Sequence, residues 1–160
     1  MAIEYIGSGQ TEGSVLRGPH RNIVSGKGAT YQLLPKESGS LCLFDRAAGI
    51  VYTLPTPVAG MEFHFLVTVA VTSNAHKVIT KTIASEFLVG GVIMGDVTVA
   101  QSGDYFEADG TTIVALSAAG STTGGLLGEE YTVTALSTTK WGIKGVCHGA
   151  GTLATPFATS

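Results

Sequence analysis

Met61-Glu62-Phe63-His64-Phe65-Leu66-Val67-Thr68-Val69-Ala70-Val71-Thr72 places an apolar side chain at every second position. Successive side chains of a strand point to opposite faces, so Met61, Phe63, Phe65, Val67, Val69 and Val71 share one face. Glu62, His64, Leu66, Thr68, Ala70 and Thr72 share the other. The first face is core and the second is mixed, which predicts a half-buried β-strand. Immediately upstream, Leu41-Cys42-Leu43-Phe44, the loop Asp45-Arg46-Ala47-Ala48-Gly49 and Ile50-Val51-Tyr52-Thr53-Leu54 read as a hairpin. Pro55 and Pro57 stop its second strand, because proline has no amide to give a ladder.

Outward from this region the same signature repeats. Short β-branched and aromatic runs separated by Gly, Pro, Asp and Ser predict strands at 76–82, 87–94, 96–100, 111–117, 130–136 and 140–147. Ala108-Asp109-Gly110-Thr111 supplies a turn. No segment has the period of an amphipathic helix. Residues 1–29 carry repeated Gly and Ser and predict an extended N-terminal arm; 30–147 predict an all-β, jelly-roll-like antiparallel β-sandwich; 148–160, rich in Gly, Ala and Thr, predict a C-terminal tail that is mobile or runs along a partner. In several strands both faces are apolar, as with Leu41 and Leu43 against Cys42 and Phe44. One face then fills the sandwich while the other meets a neighbour.

Composition points the same way. In 160 residues, 44% are hydrophobic and only 13% are charged, about half the usual charged share. A chain of this size buries roughly 70% of its unfolded surface, so one core is within reach without staples. So few charges leave a lone monomer poorly solvated, and self-association is the simplest outlet for the apolar excess. No apolar run approaches the roughly 20 residues that cross a bilayer, and none of the opening residues reads as a secretory leader. A formal charge of −3 and a pI near 5.7 argue against nucleic acid as a partner. Cys42 and Cys147 stand in no C-x-x-C motif and read as two packed thiols, with a disulfide as the alternative.

A search for chemistry returns little. Gly120-Ser121-Thr122-Thr123-Gly124 has its serine one place early for a nucleophile elbow, and Gly26-Lys27-Gly28 lacks the other residues of a phosphate loop. Asp104, Glu107 and Asp109 fail the calcium-loop register and read as a solvated turn. His20, His64, His76 and His148 show no ligand spacing, and His64 reads as a surface or interface residue. Trp141 reads as core or strand edge, with a sugar platform as the rival. No catalytic residue, metal ligand or cofactor is expected, and an enzyme would require a pocket that gathers His, Ser and Asp. Arg17, Arg21 and Lys27 lie in a stretch without carboxylates; they read first as solvated charges, with an arm steered to an acidic surface as the alternative.

Ser38-Gly39 through Asp45, Ala47-Ala48-Gly49 through Thr53-Leu54-Pro55-Thr56-Pro57, Gly60-Met61-Glu62-Phe63-His64-Phe65, and the later Gly128 to Tyr131 and Thr139-Lys140-Trp141 together resemble small tailed-bacteriophage capsid decoration (cement) proteins. The resemblance covers roughly residues 38–146 and leaves the arm unmatched. It implies a homotrimer on the outer surface of the virion, made in the host cytoplasm, that clamps the phage major capsid protein without catalysis. On that reading Tyr5, Ile6, Arg17, Arg21 and Lys27 of the arm are expected to touch the capsid, and Cys42, Phe44, His64 and Leu66 the neighbouring subunits. A trimeric tail-fibre or receptor-binding module is the alternative, and would be favoured by exposed aromatics and carboxylates near Trp141. A lectin is a more distant rival.

Overall fold

The computed structural model describes residues 21–160, in which twelve strands and one 3₁₀ turn, Pro35–Glu37, account for all regular structure. In chain order the strands are β1 (Ile23–Val24), β2 (Thr30–Gln32), β3 (Leu41–Phe44), β4 (Val51–Thr53), β5 (Glu62–Val67) and β6 (His76–Ile79). They continue as β7 (Phe87–Asp96), β8 (Gly103–Asp109), β9 (Ala115–Ala118), β10 (Glu130–Ala135), β11 (Lys140–Gly149) and β12 (Phe157–Ala158). Two sheets result, a seven-stranded one in the order β1-β3-β5-β10-β11-β7-β8 and a five-stranded one in the order β12-β9-β6-β4-β2. The fold is all-β, as the alternation predicts.

The sheets are mixed rather than antiparallel, and the reason lies in the loops. From β1 to β7 the chain changes sheet at every step, so odd-numbered strands accumulate in one layer and even-numbered strands in the other. Each return to a layer enters it in the same direction. The pairs β1·β3, β3·β5, β2·β4 and β4·β6 are therefore parallel. Asp45–Gly49 is consequently an arch between layers, and the expected hairpin of Leu41–Phe44 with Ile50–Leu54 does not form. Gly49 makes the arch possible: its φ is +80°, and a Cβ there would lie 2.5 Å from the Ala75 carbonyl oxygen. Beyond β7 hairpin-type pairing takes over in β7·β8 and β10·β11, while β11 lies parallel to β7.

The two layers share one core. Phe44 and Phe65 of the larger sheet meet Tyr52 of the smaller one, with ring centroids 5.3 and 5.7 Å apart. Phe63 approaches Trp141 at 6.1 Å, and Val78 and Leu116 close the cluster from the opposite layer. A buried large side chain of this kind stabilises by about 1.5–3 kcal/mol through apolar area alone. Phe63, Phe65 and Val67 are buried, while Glu62, His64 and Leu66 stand on the outer face, so the period-two reading holds over Glu62–Val67; the expected continuation to Thr72 does not form, and Val69 is exposed.

Several boundaries move. Ile23–Val24 pairs with β3 and Val24 is buried, so the sheet begins inside the stretch assigned to the arm. The expected tail returns to the body: β12 pairs with β9 and Phe157 is buried. The strands expected at 87–94 and 96–100 are one ten-residue strand followed by a turn, in which Asp96 Oδ1 accepts from the Thr98 amide and hydroxyl. The strand expected at 111–117 starts only at Ala115, because Asp109 accepts amide bonds from Thr111, Thr112 and Ile113 and winds them into a turn.

Cys42 and Cys147 are both free and buried, on strands three places apart in the sheet, roughly 14 Å by strand spacing and too far for a disulfide. Burial pushes both thiols up to about 12. A thiol-specific aromatic disulfide is therefore expected to label neither cysteine in the native protein at pH 8 and both in denaturant; native labelling would contradict this packing.

His76 is buried, its ring 4.6 Å from that of Phe44, with Nε2 donating to the Val69 carbonyl at 2.9 Å and Nδ1 without a partner. Burial lowers its pKa from 6.5, with the Val69 bond and the charges of Glu129 and Asp45 opposing. The unfolded chain therefore takes up a proton that the folded one resists, and stability falls as pH drops below about 6.5. Urea midpoints measured from pH 7.5 to 5.5 should decline in the native protein and decline less steeply in His76→Phe. Parallel slopes would contradict the assignment.

Candidate functional site

Residues facing each other in a ladder point to the same side, so register determines what the outer face of the larger sheet carries. Leu43 pairs with Leu66, Leu66 with Glu130, Glu130 with Val146, Val146 with Ile93, and Ile93 with Tyr105. These six side chains form one row across six strands, about 24 Å long. Ile93, Val146 and Tyr105 are 59, 54 and 63% exposed. Tyr105 lies flat because Gly91, diagonally across from it on β7, leaves the ring a space that a Cβ would fill. Glu130 is the only charge in the row. The other five members are apolar, with Leu43 and Leu66 half-buried, and exposed apolar area is concentrated on β11, β7 and β8.

The next row along the strands is Leu41, His64, Thr132, Lys144, Gly91 and Glu107, polar at four of its six positions. Three shallow clefts open on this face. One, of about 240 Å³, is lined by Arg21, Leu41, His64, Leu66, Glu130 and Thr132 among others. The second involves Thr134, Leu136 and Lys144, and the third Glu130, Lys144 and Val146.

Beside the first cleft His64 Nε2 lies 2.6 Å from Glu62 Oε1, and His64 Nδ1 lies 3.2 Å from Thr132 Oγ1. Thr134 donates to Glu62 Oε2 at 3.1 Å. Burial works against the Glu62 carboxylate, but the Thr134 hydroxyl and the adjacent His64 outweigh it and hold its pKa below the ordinary value. The order carboxylate, imidazole, hydroxyl is that of a hydrolytic triad, but Thr132 sits in mid-strand between two ladders whose amides are already paired, so the adjacent backbone supplies no oxyanion hole. The group works as a polar clasp between β5 and β10.

The residues expected to touch neighbours divide clearly. His64 and Leu66 stand on the outer face. Cys42 and Phe44 are fully buried in the protomer's own core and offer no atoms to a second chain, which corrects their assignment to an interface. Strand β3 directs Leu41 and Leu43 outward instead. Of the arm residues, Arg21 lines the first cleft and Lys27 packs its ammonium 4.1 Å from the Tyr31 ring centroid; Tyr5, Ile6 and Arg17 lie outside the described residues. Trp141 is fully buried, so it is core and no sugar platform. Asp104, Glu107 and Asp109 belong to β8, an edge strand that the sequence reading missed because acidic residues interrupt its apolar ones.

Sequence reasoning also missed Glu129. This carboxylate is fully buried, yet it accepts from the Gly125 amide at 2.7 Å, the Leu126 and His148 amides at 3.0 Å, and the Tyr131 hydroxyl at 2.5 Å. It thereby ties the loop before β10 to the far end of β11. Burial, with the Glu129 charge next, drives the Tyr131 phenol well above its usual pKa, so the hydroxyl remains a donor. With all of its partners inside the chain, the carboxylate is a structural anchor.

No protein-family model, curated protein or solved structure matches this chain. The resemblance to decoration proteins therefore rests on the residues that carry it.

Glu129→Gln exchanges an acceptor for a donor beside three amides and a phenol, and should cost roughly 2–4 kcal/mol in urea unfolding, against about 1–3 kcal/mol for Tyr131→Phe. A Glu129→Gln protein as stable as the parent would contradict the anchor.

Proposed function

We propose that this chain is a structural virion protein, a capsid decoration protein that forms a homotrimer, binds between major capsid protein subunits on the outside of a phage head, and performs no chemistry. The observation that carries the proposal is the row Leu43–Leu66–Glu130–Val146–Ile93–Tyr105, which is apolar apart from Glu130 and exposes Val146, Ile93 and Tyr105 on a sheet with a fixed register. Large exposed apolar surface on a low-charge chain favours assembly with other protein surfaces over life as a solitary monomer.

Other features support the same reading. The polar groups that a catalyst would use are spent within the fold: Glu129 on backbone amides, Asp109 on its turn, and the Glu62–His64–Thr132 line on holding two strands together. The two-layer part of the jelly-roll-like expectation is retained. Tyr5, Ile6, Arg17, Arg21 and Lys27 remain the proposed capsid contacts, since multivalent attachment through three arms strengthens binding without any single strong contact. Nucleic acid and membrane play no part in this reading. The tail-fibre alternative called for exposed aromatics with carboxylates near Trp141, and the burial of that ring weighs against it.

Heads of the virus that encodes the chain, assembled with and without it, provide the test. The chain should co-sediment with DNA-filled heads, and heads lacking it should lose DNA at a lower temperature and in lower salt. Equal survival of both kinds of head, or recovery of the chain only with tails, would overturn the proposal.

A further inference from the structure

We infer that the outer face of the seven-stranded sheet is the surface by which copies of this chain bind one another, with Glu130 of one copy meeting Lys144 of the next. The inference rests on the reading that the protein assembles with itself, and it names the surface and the pairing.

Two observations select a second copy as the occupant. The first is the apolar row, in which Ile93, Val146 and Tyr105 are more than half exposed. The second is charge. Glu130 interrupts that row on β10, and Lys144 stands on the adjacent β11, two residues along from Val146, the partner of Glu130. Among the described residues neither forms an ion pair: the one such contact is His64 with Glu62. Glu62 is already paired with His64, and Glu107 stands out on the edge strand, so on the two central strands one carboxylate and one ammonium remain, neighbours yet unpaired, beside the apolar row.

A partner surface of one sign would match one of these charges and repel the other. A copy of the same face satisfies both, because it carries a Lys144 for each Glu130 and a Glu130 for each Lys144. Isoleucine, valine and tyrosine around the pair exclude water, which strengthens the attraction. Like charges meeting in other registers would be repelled, so the same two residues also fix the register of association.

The test is a charge swap on the full chain, read by sedimentation velocity across dilution. Glu130→Lys and Lys144→Glu should each weaken association by about tenfold or more, and the double variant should return to within about threefold of the parent. Val146→Glu should yield monomer, with an unchanged far-ultraviolet spectrum because the side chain is exposed. Thr30→Glu, on the other sheet, should leave the mass unaltered. An oligomer indifferent to Val146→Glu, a double variant no better than the singles, or equal dissociation by Thr30→Glu would overturn the inference while leaving self-assembly intact. A parent chain that is monomeric at every concentration would overturn both.

Discussion

The meeting of Phe44, Tyr52 and Phe65 across the two layers is the contact on which the rest of the structure depends. A strand has two faces, and once these rings claim the inner face of β3, β4 and β5, the outer face of each is decided as well. Leu43 and Leu66 must point outward because Phe44 and Phe65 point inward. A slip of β5 by one residue would bury His64 and expose Phe65. Register therefore links core and surface. The exposed row is a consequence of the aromatic core and the pairing of strands drawn from six places in the chain.

That dependence explains what the sequence made legible. The alternation at Glu62–Val67 identifies a strand and its buried face directly, and Glu130–Ala135 and Lys140–Gly149 emerge within a residue or two of their expected limits. Alternation says nothing about which strand lies alongside. A five-residue connection such as Asp45–Gly49 serves a hairpin or an arch between layers equally well, so parallel winding was hidden. The outward row was hidden for the same reason: Leu43, Ile93, Tyr105 and Val146 become neighbours only through register. Cys42 and Phe44 were misassigned because an apolar strand carries no mark of which face its layer will cover.

Buried acids form the other illegible class. Nothing in the sequence singles out Glu129 and Glu86, yet both are buried. Glu86 accepts the Lys81 amide, and Glu129 gathers three amides and a phenol. Such a carboxylate is recognisable only when the loop around it has been placed, since its donors are backbone groups that every sequence possesses.

The central claim is that the exposed apolar row is covered in the working protein by other copies of the chain. Sedimentation equilibrium of the unmodified protein over a hundredfold dilution tests it most directly. The account predicts a single species at three times the 16.4 kDa chain mass that persists into the micromolar range. A stable species at the chain mass throughout would contradict it, because the row would then be compatible with solvent.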